Sequence, residues 1–332
     1  MNGNRWSFRE AMLGSGLFLL LAVVPCRAAG WTITQLTDNN YSDFTPDFSG
    51  TNLVWCANAG GDGNASGREI MLYDGGNTVQ LTTNGYEDSA PRVSGNGICW
   101  QGKPDLGADW EIFYYTPTAG KVQLTDNGVN DWGAGICGER VAWHSGSGTN
   151  CEIYLYDGST TTQLTTNAWQ DMSPSISSDG VAWICNDGSD WEIFLRDAAE
   201  TKQLTNNTVD DTAPCFGHGV MFWRTENPST YLGQIAMYDG TNVVILSDDS
   251  LDNEAPVAFG RRAAWSSQDP EKESSDIFLY TGSGIQRVTD DAYDDNNPVI
   301  SESLVVWSAY DGHDHEIFVY DGVGRHHPVD GQ

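Results

Sequence analysis

A Leu-Thr pair recurs along this chain at a nearly constant interval, and that interval restricts the possible folds more than any other feature. It stands at Leu36-Thr37, Leu81-Thr82, Leu124-Thr125, Leu164-Thr165 and Leu204-Thr205, relaxed to Leu246-Ser247 and Val288-Thr289. The spacings are 45, 43, 40, 40, 42 and 42 residues. A period of that length, holding four short strand-like runs, is the pattern of a β-propeller blade, a unit that buries its faces only by stacking on copies of itself.

Within a unit the runs read in a fixed order. The first strand is expected to begin at a proline (Pro46, Pro91, Pro174, Pro214, Pro256, Pro298), where a missing N–H costs little. The second ends in a tryptophan, one per unit: Trp55, Trp100, Trp143, Trp183, Trp223, Trp265 and Trp307. The third is Glu-Ile-x-Leu-Tyr or close to it, as in Glu69–Tyr73, Glu152–Tyr156 and Glu316–Tyr320, and the fourth carries Gln-Leu-Thr. Asp74-Gly75, Asp157-Gly158, Asp239-Gly240 and Asp321-Gly322 supply tight hairpins between the third and fourth strands. Helical periodicity is absent. The expectation is an all-β, seven-bladed propeller of four-stranded antiparallel blades. Trp31–Thr37 reads as a lone fourth strand that completes the last blade and closes the ring, with His326–Gln332 as a tail or extra edge strand. Six blades is the alternative if one divergent unit is an insertion.

The N-terminus reads differently. Arg5 and Arg9 precede an apolar run from Ala11 to Pro25, followed by Cys26-Arg27-Ala28-Ala29. That is a secretory signal over residues 1–29, leaving a single propeller domain over 30–332. The chain is therefore expected to be exported, periplasmic or extracellular, with no transmembrane segment in its mature part. Its formal charge of −30 repels nucleic acid and anionic membrane, and suits a basic or neutral partner. Six cysteines follow the leader, Cys56, Cys99, Cys137, Cys151, Cys185 and Cys215, at different places in different repeats. Their even number permits disulfides in an exported chain, and buried free thiols are the alternative.

Asp171-x-x-Pro174, Ser178-Asp179-Gly180, Val181-Ala182-Trp183 and Glu192-Ile193-Phe194-Leu195 resemble the repeats of TolB-like (WD-type) β-propellers, and the resemblance runs over residues 31–324. It implies the fold. Related repeats occur in transport accessory proteins, peptidase propellers and some polysaccharide lyases, and the α/β domain that precedes the propeller in TolB itself is not seen here.

In an up-down-up-down blade the loops between strands two and three emerge on the same face as the inter-blade linkers, which makes that face the functional candidate. The linkers 38–45, 83–90, 126–133, 166–173, 206–213, 248–255 and 290–297 hold 17 Asp or Glu and no Lys or Arg in 56 residues. Two readings of their aspartates compete. They accept backbone N–H groups in turns, or Asp43, Asp88, Asp131, Asp171, Asp211, Asp294 and Asp295 offer hard oxygens to Ca²⁺ at the channel rim. Calcium is the one cofactor this composition suggests. The loops between strands two and three add Trp110, Glu111, Asp190, Trp191, Glu192, His313, Asp314 and His315, and the linkers add Trp132 and Trp169. These aromatic rings either stack on sugars beside carboxylates or pack between blades. His313 and His315 have the i, i+2 spacing of two ligands on one strand face. No G-x-S-x-G is present to serve a hydrolase nucleophile. The sequence therefore points to a non-enzymatic binding or scaffold propeller contacting a protein, a glycan or a cation-bridged surface component. The alternative is a carbohydrate-active enzyme, lyase or glycosidase, using the same face.

Overall fold

The computed structural model describes residues 36–59, 67–248, 250–270, 272, 274–310, 315–322 and 327–328, so the secretory signal expected over 1–29 lies outside the described residues. Seven antiparallel sheets follow one another along the chain, each a meander of four successive strands except the sixth, whose first strand is split in two. The fourth sheet sets the pattern: Gln170–Ser177, Gly180–Asn186, Trp191–Arg196 and Thr201–Gln203 pair in that order. No described residue is helical. The seven-bladed propeller expected from the period is what forms.

Each sheet is organised around its tryptophan. Trp183 lies opposite Phe194 on the neighbouring strand, and their rings stack with centroids 5.9 Å apart. Trp100–Phe113, Trp143–Tyr154, Trp265–Phe278 and Trp307–Phe318 repeat this stack. From sheet 2 onward the tryptophan packs with residues of the preceding sheet: Trp100 with Val54, Ile70 and Leu72, and Trp223 with Ile193 and Leu195. The leucine of the repeat fills the same junctions, Leu81 in the first and Leu204 in the fourth. Beside it the threonine hydroxyl accepts the N–H of the buried isoleucine, as Thr205 does from Ile193 at 2.8 Å.

The first strands begin about three residues earlier than the prolines suggested. Asp43–Ser49 and Asp88–Ser94 carry Pro46 and Pro91 in mid-strand. A β-bulge explains this, because the register slips around the residue before proline. That residue adopts a left-handed backbone in five sheets: Thr45, Ala90, Ser173, Ala213 and Asn297 have φ between 46° and 53°. The bulge takes the proline out of the ladder, so its missing donor is harmless. In the third sheet Gly133 (φ 64°) holds the same place. In the sixth the first strand breaks instead into Asp252–Asn253 and Val257–Phe259, both paired with Arg262–Gln268.

Closure of the ring by the N-terminal strand is not seen among the described residues. The fourth strand of the last sheet is His327–Pro328, paired with Phe318 and Val319. The Trp31–Thr37 strand falls largely outside the described residues. Its described end, Leu36 and Thr37, shares a cavity with Phe44, Pro46, Leu53 and Trp55 of sheet 1. Apolar clusters join every successive pair of sheets, but none among the described residues joins sheet 7 to sheet 1. Phe48 is accordingly 55% exposed and Ile317 45%, whereas Ile70, Ile112, Ile153, Ile193, Ile235 and Ile277 at the same repeat position are fully buried.

All six cysteines are free thiols, four of them buried. Burial pushes the thiols of Cys99, Cys185 and Cys215 well above their ordinary range. Of the two alternatives left open by the sequence, the structure holds the thiols.

Candidate functional site

The linkers and the loops between strands two and three share one face, and the acidic residues there do specific work in the fold. In six sheets an aspartate at the first or second position of the first strand accepts the indole N–H of the tryptophan twelve residues on. Trp55 donates to Asp43 at 2.8 Å, Trp100 to Asp88 at 2.9 Å, Trp143 to Asp131 at 3.1 Å and Trp183 to Asp171 at 2.7 Å. Trp223 donates to Asp211 at 2.8 Å and Trp307 to Asp295 at 2.6 Å. In sheet 6 Asn253 takes this place and accepts from Trp265 at 2.8 Å. A buried indole N–H needs such an acceptor, which accounts for the recurrence.

The turn-building that the sequence assigned to these aspartates belongs to a residue four or five positions earlier. Asn39, Asn84, Asn127, Asn167, Asn207, Asp248 and Asp291 each accept the N–H two residues on. Asn127, Asn167 and Asn207 also donate to the second oxygen of Asp131, Asp171 and Asp211. A third set staples sheet to sheet. Asn130, Asp210, Asp252 and Asp294 accept backbone N–H groups from Trp110, Trp191, Gly233 and Ser275 of the preceding sheet. The carboxylates offered as calcium ligands are thus distributed around the ring, each engaged by its own donors. Among the described residues no three metal-ligating side chains converge.

The aromatic candidates divide. Trp110 and Trp132 meet across sheets 2 and 3, ring centroids 5.2 Å apart, with the Lys103 ammonium 5.1 Å from the Trp110 ring. Trp191 is half-buried, while Trp169 is 41% exposed on its linker. Glu111 and Glu192 point inward and are buried, with Glu192 accepting the Asn207 N–H at 2.7 Å. Asp190 is buried too, its carboxyl pushed up first by burial and then by Asp187, Asp210 and Asp211. His313, Asp314 and the side chain of His315 lie outside the described residues.

Two protrusions on this face were not anticipated. Leu106 is 89% exposed in the loop between the second and third strands of sheet 2. Tyr231 is 71% exposed in the corresponding loop of sheet 5, with φ at 60°. Its loop is tied by Tyr231 N–H to Asn227 O at 2.8 Å and Asn227 N–H to Leu232 O at 2.9 Å. A bulky residue in that conformation costs about 1–3 kcal/mol. The available signal was a large apolar residue inside an Asp-, Gly- or Ser-rich loop.

No protein-family model matches the sequence, and no curated protein is similar to it. Solved structures do match. The β-propeller domain of the trilobed protease from Pyrococcus furiosus has a TM-score of 0.64 at 12% identity, over 88% of this chain and 98% of that one. Acylaminoacyl peptidase from Pyrococcus horikoshii gives 0.60 at 10% identity, over 88% of this chain and 52% of its own. A prolyl endopeptidase gives 0.64 at 10%, over 87% and 49%. The chain spans about half the length of these two peptidases. At such identities the likeness carries the architecture and no activity: this chain is a seven-bladed β-propeller of four-stranded antiparallel sheets.

Proposed function

We propose that this protein is an exported, non-enzymatic binding propeller of the TolB-like type, and that its linker-bearing face contacts a neutral or basic protein or glycan. The observation that carries the reading is the placement of Leu106, Tyr231 and Trp169. These exposed apolar tips stand among acidic linkers on one face, and one of them is held in a strained conformation by its own loop. Large rings and aliphatic tips on ordered loops supply contact area at low entropic cost, and a negative surround favours basic partners. The peptidases with similar propellers carry about as much chain again, so their activity is not transferred to this one.

The test compares the secreted chain with a Leu106→Asp, Tyr231→Ser double variant on panels of neutral, basic and uronate glycans and on basic proteins. Saturable binding by the wild type, weakened about tenfold or more in the variant at an unchanged melting temperature, is the expected result. Equal binding by both would remove the face from the account. Turnover of a polysaccharide by the wild type would replace the binding reading with the carbohydrate-active one.

A further inference from the structure

The same two acidic positions meet at five of the six joints between successive sheets. One is the glutamate near the head of a third strand: Glu69, Glu111, Glu152 or Glu192, with Asp276 in sheet 6. The other is the aspartate opening the next sheet: Asp88, Asp131, Asp171, Asp211 or Asp295. All ten are buried. The backbone ties them together, with Asp88 N–H on Arg68 O at 2.9 Å and Asp131 N–H on Trp110 O at 2.7 Å. Glu111 and Asp131 are within hydrogen-bonding reach, and Glu69–Asp88, Glu152–Asp171 and Glu192–Asp211 are near enough to repel as anions.

The donors at these joints are too few for two carboxylates. Each aspartate uses one oxygen on its tryptophan, and Asp131, Asp171 and Asp211 use the other on the Asn127, Asn167 and Asn207 amides, so at those joints the shortage falls on the glutamate. The hydroxyls of Thr82, Thr125, Thr165 and Thr205 accept from Ile70, Ile112, Ile153 and Ile193, which leaves each a single proton to donate. Backbone N–H groups of Gly85 and Asn207 reach one oxygen of Glu69 and Glu192. The second oxygens of Glu69, Glu111, Glu152 and Glu192, and those of Asp88 and Asp295, are buried without a donor. Burying an anionic oxygen in that way is costly, and a carboxyl proton between the two groups removes the cost.

Sheets 5 and 6 provide an internal comparison. There the two positions are Gln234 and Asn253, the neutral shapes of protonated Glu and Asp. Asn253 is buried, accepts from Trp265 and Ser267, and donates to Gly233 O and Leu251 O. The uncharged Asn253 finds partners for both its amide oxygen and its amide nitrogen.

We infer that each Glu–Asp joint holds one proton shared between its two carboxyls, so that the contacts between sheets tighten as pH falls and loosen as it rises. Burial pushes Asp88 and Asp295 up to about 7, and also raises Glu111, Glu152, Glu192 and Asp211. Few opposite charges face these groups. Lys121 acts weakly on Asp88, and Cys185 and Cys151 adjoin Asp171. Asp190 adds negative charge near Glu192. The joint between sheets 6 and 7 differs, because Arg287 pairs with Asp276 and Asp290 while Lys272 faces Asp276 and Asp291 faces Asp295. Its proton therefore belongs to Asp295.

Because Asp88, Glu111, Glu152, Glu192, Asp211 and Asp295 titrate higher in the folded chain than in the unfolded one, the folded state holds extra protons above about pH 4, and at Asp88 and Asp295 it holds them up to about pH 7. Stability falls as pH rises through that window, and each retained proton raises the unfolding constant about tenfold per pH unit. Denaturant unfolding of the full chain at high salt, which screens surface repulsion, is compared with that of Glu69→Gln and Glu192→Gln. The expected result is a wild-type unfolding constant rising at least tenfold per unit between about pH 5 and about pH 7, with a shallower slope in each variant. A slope that the substitutions leave unchanged, or a stability that rises with pH, would overturn the inference. If a variant does not fold, the wild type suffices. Its infrared spectrum near neutral pH must show buried protonated-carboxyl C=O absorption, and absence of that band overturns the inference equally.

Discussion

Trp183→Ala lowers the unfolding free energy by about 3–5 kcal/mol, the range for removing a fully buried large ring. The residue is 1% exposed, stacks on Phe194 and packs with Val181, Cys185 and Ile153 across the junction of sheets 3 and 4. Its removal also leaves Asp171 Oδ1 without the indole donor that engages it at 2.7 Å. Those two losses have different chemistry, and Trp183→Phe separates them. Phenylalanine keeps most of the packing and loses the hydrogen bond, so it costs about 1–3 kcal/mol. Denaturant melts of the three chains check both figures. A Trp183→Ala penalty below about 1 kcal/mol would mean that the tryptophans are not the organising cores of the sheets.

The second large effect depends on position in the ring. Ile193→Ala costs about 2–5 kcal/mol, because Ile193 is fully buried against Trp223 and Met221 of the next sheet. Ile317→Ala, the same substitution at the same repeat position in sheet 7, costs less than about 1 kcal/mol, because that side chain is 45% exposed at the junction with sheet 1. The pair of melts reports whether the ring is open there. Equal penalties would mean that sheets 7 and 1 pack together in solution as the other pairs do.

Much of the architecture was legible from particular residues. The seven tryptophans each fell on a second strand, and Asp74-Gly75, Asp157-Gly158 and Asp239-Gly240 formed hairpins, with their glycines in the left-handed region. Local chemistry decides both, so sequence alone reveals them. The bulge before each proline was not legible, since Ala90 and Ala213 have no intrinsic preference for positive φ. Proline pulls the strand start toward itself on paper, whereas the ladder actually starts at the aspartate. The jobs of the linker acids were also hidden. Asp171, Asn167 and Asp210 look alike as turn residues, and only the tertiary arrangement divides indole acceptor, turn builder and inter-sheet staple among them. Leu106 and Tyr231 escaped notice because single apolar residues in polar loops are common, and exposure cannot be read from identity.

The account's central claim is that the carboxylates of the repeat hold the sheets together, while the exposed tips do the binding. The most direct test is the thermal unfolding midpoint near pH 8 in excess chelator and again in millimolar Ca²⁺ at matched ionic strength. At that pH the joints have lost their protons, so any cation affinity is greatest. The account predicts the same midpoint in both. A calcium site filled about a hundredfold over its Kd would add about 2.7 kcal/mol to the folded state. A rise of several degrees with Ca²⁺ would therefore contradict the claim and return these aspartates to the role of ligands.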